Sequence, residues 1–163
     1  SRRALDAGLS PVVVVVRHGD EQVKRELKGL NCQLVENQHH LDGMSTSIRT
    51  GLDLVEEQVE AVIFILADQP LVTSDMLQAL VNAYRNTDVP LVVSDFEGIK
   101  APPHLWDRSL FPKLHLLQGD RGPKDLIRHY LSEAAILSFP KEALLDVDTL
   151  QDYEKIQDLL GQN

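Results

Sequence analysis

The stretch Ala61-Val62-Ile63-Phe64-Ile65-Leu66-Ala67-Asp68-Gln69-Pro70 sets the architecture of this chain. Seven consecutive apolar residues, several of them β-branched or aromatic, predict a strand buried on both faces, as in a parallel sheet. A carboxylate ends the run and Pro70 stops it. Ligands of open α/β sheets bind beyond the carboxyl ends of the strands, so Asp68 stands where a metal or a substrate would be held. The alternative is that Asp68 caps the following helix. Thr73 is better placed for that, because Thr73-Ser74-Asp75 directly precedes the periodic set Met76, Leu77, Leu80, Val81 and Tyr84. Asp68 is left without a structural task.

Outward from this strand the chain alternates. Apolar and β-branched runs predict strands at 12–16, 33–36, 90–94 and 135–139. Periodic segments predict helices at 21–27, 45–57, 74–84, 108–117, 123–131 and 149–160. Residues 1–8 read as the tail of a helix closed by glycine, and no initiator Met precedes them, so an N-terminal piece is expected to be absent from the sequence. Strand–helix alternation predicts a mostly parallel sheet with right-handed crossovers and helices on both faces. There are no repeats or linkers, and residues 1–163 read as one α/β domain.

Composition bounds the function. The chain has 163 residues and is 43% hydrophobic, enough for a real core. A formal net charge of -9 argues against broad binding to nucleic-acid phosphates. Cys32 stands alone, which excludes an intrachain disulfide and suits a reducing compartment. No apolar run is long enough to span a bilayer and no signal peptide is visible. A cytoplasmic location without membrane partners is expected.

Three further segments carry chemistry. In Asn37…Gly43-Met44-Ser45-Thr46-Ser47-Ile48-Arg49, a glycine turn leads into a helix whose first turn holds three hydroxyl residues, well suited to capping free N–H groups. Arg49 near that helix start opposes the macrodipole, which favours anions there by roughly 0.3–1 kcal/mol. It either faces a bound anion or is an exposed residue with no role. The neighbouring His39 and His40 lack metal-ligand spacing and read as solvated. In Asp146-Val147-Asp148-Thr149, Thr149 caps the last helix together with Asp152, which leaves Asp148 over. Two spare carboxylates, Asp68 and Asp148, at strand-to-helix junctions suit a hard cation such as Mg2+. Asp146 reads as a turn residue. In Gln118-Gly119-Asp120-Arg121-Gly122-Pro123-Lys124, backbone N–H groups precede a helix, either as an anion cradle or as a plain turn.

No dinucleotide fingerprint, phosphate-binding P-loop or nucleophile elbow is present, which disfavours an ordinary Rossmann dehydrogenase, a P-loop NTPase and an α/β-hydrolase.

Together, residues 37–52, Leu66-Ala67-Asp68-Gln69-Pro70-Leu71-Val72-Thr73, Gly119-Asp120-Arg121-Gly122 and Asp146-Val147-Asp148-Thr149 resemble the MobA-like NTP transferase family, and within it the molybdenum cofactor cytidylyltransferases. The resemblance implies a Rossmann-like, three-layer fold of the nucleotide-diphospho-sugar-transferase kind. It also implies transfer of a nucleoside monophosphate from an NTP to a phosphorylated acceptor, with release of pyrophosphate. By this resemblance Asp68 and Asp148 are the catalytic, Mg2+-holding acids. Asn37, Gly43, Met44, Ser45, Ser47 and Arg49 are nucleotide contacts, and Pro103, Gly119, Asp120 and Arg121 are on the acceptor side. The partners implied are CTP, a molybdopterin acceptor and a molybdoenzyme that receives the cofactor. Two departures stand out. The family's N-terminal glycine-rich loop is not in this sequence, which implies a sheet short of its first β-loop-α unit and little activity without it. Ala101-Pro102 replaces a Gly-His pair in the acceptor-side loop, where Phe96 and Trp106 either line the region or belong to the core. Guanylyl transfer from GTP, and a non-catalytic member that binds a nucleotide or a partner, are the alternatives.

Overall fold

The computed structural model describes residues 1–120 and 122–147, together with Asp152, Glu154 and Ile156. Its first element, α1 (Arg2–Asp6), ends at Gly8 with φ +75, where Gly8 N–H donates to Leu5 O and Leu9 N–H to Ala4 O. This is the expected glycine closure. Strands β1 (Val13–Arg17) and β2 (Gln33–Asn37) flank α2 (Glu21–Glu26) and pair in parallel, Val13 opposite Gln33 through Arg17 opposite Asn37. Next come α3 (Met44–Asp53), β3 (Ala61–Phe64) and α4 (Ser74–Arg85), whose first turn is capped by Thr73 Oγ1 accepting from Met76 N–H, as expected. They are followed by β4 (Leu91–Phe96), β5 (Ile99–Lys100), β6 (His104–Asp107), α5 (Phe111–His115), α6 (Lys124–Tyr130) and β7 (Ala135–Ser138). The predicted helix starting at Thr149 lies outside the described residues, apart from helical positions at Asp152, Glu154 and Ile156.

The Rossmann-like α/β class holds, and the sheet within it is mixed. Strands run in the order β3-β6-β4-β5, with β7 also on β4. The β4–β7 pair is parallel, but β6 is antiparallel to both β3 and β4. Residues 101–106 read as a loop in the sequence because two prolines precede a four-residue strand whose apolar run is broken by His104. Strand β3 is half-buried throughout, not buried on both faces, and among the described residues it has a ladder on one side only.

Alternation along the strands sorts the core into two layers. Leu91, Val93 and Trp106 pack with Ile48 and Leu52 of α3, Phe111 and Leu114 of α5 and Ile127 of α6. Val92 and Leu105 point the other way, onto Leu77 and Leu80 of α4 and Ala4 of α1. The sheet is thus covered on both faces. Among the described residues no ladder joins the β1–β2 pair to the larger sheet. Helix α3 makes that link, packing on β1 and β2 as well as on the core. It approaches so closely that a Cβ at Gly51 would lie 2.9 Å from Val15 Cγ2. No helix among the described residues is long and apolar enough to cross a membrane.

His104 is 2% exposed, and burial depresses its pKa to about 4. Its Nδ1 accepts from Ser94 N–H, which leaves the proton on Nε2, a nitrogen with no partner among the described residues. The folded-state pKa lies below the unfolded value, so the unfolded chain takes the proton first as pH falls. The stability that neutral His104 permits is complete above about pH 6.5 and is lost progressively down to about pH 4. Denaturant unfolding at pH 7 and pH 4 should therefore show a stability loss smaller by about 3 kcal/mol in His104→Asn than in the natural protein. Parallel losses in the two proteins would refute a neutral buried imidazole.

Candidate functional site

Asn37, the last residue of β2, is 1% exposed and organises the start of α3. Its Nδ2 donates to Thr46 Oγ1 at 2.7 Å and to Ser47 Oγ at 2.9 Å, and its Oδ1 accepts from His39 N–H at 2.8 Å. Both amide protons are used within the protein. Asn37 therefore acts on any ligand through the two hydroxyl groups that it holds.

The cap of α3 is not where the sequence placed it. The N-cap residue is Gly43, which has no side chain, and Thr46 Oγ1 hydrogen bonds to Gly43 O without capping an N–H. Ser45 Oγ is buried and has no partner among the described residues. Instead Met44 N–H donates to Asp120 Oδ1 at 3.0 Å and Ser45 N–H to Gly119 O at 3.1 Å. The contact tolerates only glycine at position 43. Its φ is +102, and a Cβ there would lie 2.4 Å from Gly119 C. Gly122, at φ +55, leaves room for Met44 Sδ at 3.0 Å from its Cβ position. Arg49 is the sixth residue of α3, beyond the first turn, so the dipole argument does not apply to it. Its Nη1 donates to Leu117 O. Two segments assigned to opposite substrates are thus bonded into one unit. Pro103 stands elsewhere, buried at the start of β6 with its carbonyl accepting from the Ser94 hydroxyl.

At the carboxyl side of β3, Asp68 is exposed, and its carboxylate has no partner among the described residues. Its carbonyl accepts from Val147 N–H at 2.9 Å, which brings the 146–147 segment alongside. Asp148 and Arg121 lie outside the described residues. Gln69 is 7% exposed with Oε1 unpartnered among the described residues. In the sequence it stands in the Ala67-Asp68-Gln69-Pro70 motif that carries the family resemblance, but no role was assigned to it there.

The surroundings are polar. On β2, Glu36 is met by Lys24 of α2 and by His18, which follows β1, and the two hold its pKa down to about 2. An open cavity of about 600 Å³ beside α3 is lined by Ser45, Arg49, His39, Asp42 and residues 115–119. A second, of about 460 Å³, lies at the opposite, amino-terminal ends of β3 and β4, where Tyr84 donates to Asp107. Asp53, Glu56 and His115 place ligand atoms within 4.8 Å of one another. His115 Nε2 is already hydrogen bonded to Glu56 Oε2 at 2.7 Å.

The family model for the MobA-like NTP transferase domain matches residues 1–135. The chain is 30% identical over 118 residues to the purine catabolism protein PucB of Bacillus subtilis strain 168, across 71% of this chain and 56% of that protein. It thus spans little more than half the length of this relative. Rv0371c of Mycobacterium tuberculosis H37Rv shares the fold at a TM-score of 0.82 and 22% identity, over 96% of this chain and 80% of that one. Its complex with manganese gives 0.75 and 23%, over 96% and 83%. The molybdopterin-guanine dinucleotide biosynthesis protein A of Archaeoglobus fulgidus gives 0.62 and 15%, over 93% and 79%. The chain belongs to the MobA-like NTP transferase family.

Gly43→Ala combines a glycine-only backbone conformation with a backbone clash. It should cost about 3 kcal/mol or more, read as a drop in thermal midpoint. An unchanged midpoint would show that the 43–119 contact is not needed.

Proposed function

We propose that this chain carries the site of a Mg2+-dependent nucleotidyltransferase that moves cytidine monophosphate from CTP to a molybdopterin-type phosphorylated acceptor. The observation that carries the reading is Asp68, an exposed carboxylate unpartnered among the described residues at the carboxyl side of β3, with Val147 hydrogen bonded beside it. An oxygen of the acceptor's phosphate forms a bond to the α-phosphorus, the bond from that phosphorus to the bridging oxygen breaks, and pyrophosphate leaves. Such transfer depends on positioning and charge neutralisation more than on covalent chemistry by the protein.

The chain's residues divide that work. Asp68 and Asp148 would hold the cation, which supplies charge neutralisation along the triphosphate. The acidic, oxygen-only donor set fits Mg2+, and the manganese complex of a structural neighbour supports a divalent ion at this kind of fold. Asn37 keeps Thr46 and Ser47 aimed by donating one amide hydrogen bond to the hydroxyl oxygen of each, and residues 43–47 receive the nucleotide. Gly119 and Arg121 would meet the acceptor, and a molybdoenzyme receives the product.

Pyrophosphate release by the natural protein, measured with CTP, GTP and each candidate acceptor, tests the reaction. Release should be fastest with CTP. Asp68→Ala should lower turnover by roughly a thousandfold while leaving the thermal midpoint in place, because its carboxylate supports no contact among the described residues. Full activity in that variant would remove Asp68 from the mechanism. No release with any nucleotide would favour a non-catalytic binding role.

A further inference from the structure

Helix α3 has Gly43 as its N-cap residue and therefore no side-chain cap of its own. Its first free N–H groups are satisfied by a turn far along the chain, through Asp120 Oδ1 on Met44 N–H and Gly119 O on Ser45 N–H. A carboxylate at a helix start is favoured twice over, as a hydrogen-bond acceptor and as an anion against the positive end of the macrodipole. Gly43 and Gly122 shape the backbone so that this approach is possible. Arg49 adds a third tie, to Leu117 O.

From this geometry we propose that Asp120 is a positioning residue for the nucleotide segment. Its carboxylate sets where α3 begins and so where Met44, Ser45, Thr46 and Ser47 stand. The inference rests on the proposed function in assigning residues 43–47 to the nucleotide. It departs from that reading in the duty of Asp120, which acts through α3 and not by touching the acceptor. Two anchors then hold the segment from opposite sides, Asn37 on the hydroxyl groups and Asp120 on the backbone N–H groups.

Three proteins separate this from a general effect on stability: the natural one, Asp120→Ala and Asp120→Asn. The asparagine can still accept from Met44 N–H but brings no charge. Hydrogen exchange at the Met44 and Ser45 amides should speed up about tenfold in Asp120→Ala and by less in Asp120→Asn, with amides of β4 unchanged. The dissociation constants of CTP and GTP with Mg2+ should rise in the same order, about tenfold for alanine, with partial rescue by asparagine. In turnover the loss should fall on KM for the nucleotide and leave kcat within about twofold. Exchange and nucleotide affinity both within twofold of the natural protein in Asp120→Ala would overturn the proposal. A fall in kcat with nucleotide affinity unchanged would overturn it too, and would return Asp120 to the acceptor side. If the natural protein binds neither nucleotide, the proposed function fails by itself, and the inference, which needs a nucleotide segment, falls with it.

Discussion

The larger sheet and the β1–β2 pair share no ladder among the described residues, so their relation depends on α3. One side of the helix lies on β1 and β2, with Gly51 nearly touching Val15. The other side sends Ile48 and Leu52 into the cluster around Trp106, Leu91 and Val93. A close helix-to-strand approach fixes position more tightly than apolar burial alone, because packed interiors leave little slack. Anything that shifts α3 shifts one strand pair relative to the other. The candidate site sits at the start of this helix, where a small tilt would be felt.

Polar chemistry is spread around that start in a particular way. Buried polar groups need partners, and Asn37 is fully engaged by Thr46, Ser47 and His39 N–H. The groups left without partners among the described residues are Ser45 Oγ, Gln69 Oε1, His104 Nε2 and Trp106 Nε1. Gln69 adjoins Asp68 in sequence. His104 opens β6 opposite Phe64, the last residue of β3. Two of these four groups thus stand towards the carboxyl side of β3, where ligands of open sheets are held.

Much of this was legible in the residues, and the failures share a cause. The Thr73 cap and the glycine after α1 are local signals, each set within a few residues, and the structure repeats them, whereas the apolar run before Asp68 becomes a strand only over Ala61–Phe64 and only half-buried. Strand β6 was not legible, since its four residues gain their place from pairing with β3 and β4. Three hydroxyl residues at a helix start looked like caps, yet the acceptor comes from Asp120, and no single-chain pattern links residue 44 to residue 120. Arg49 was read against the helix dipole as though it stood in the first turn, whereas it is the sixth residue of α3 and faces a carbonyl. The family motifs were grouped by substrate, while the fold bonded residues 44 and 45 to residues 119 and 120 across that division. Asp148, Thr149 and Arg121 fall outside the described residues, so their roles stand on sequence alone.

The separation of 76 residues between Met44 and Asp120 also orders events in time. Chain is made from its amino end, and α3 emerges long before the turn that caps it. Contacts at such separation carry a loop-closure cost that must be met before they contribute. The helix can pack on β1 and β2 early, using Asn37, but its first turn keeps free N–H groups until β4, β6 and α5 have formed. On a chain still being made, completion of the helix start therefore waits for residues 119 and 120. A chain halted before residue 119 would hold most of the sheet and yet lack a finished start to the helix on which the site is built.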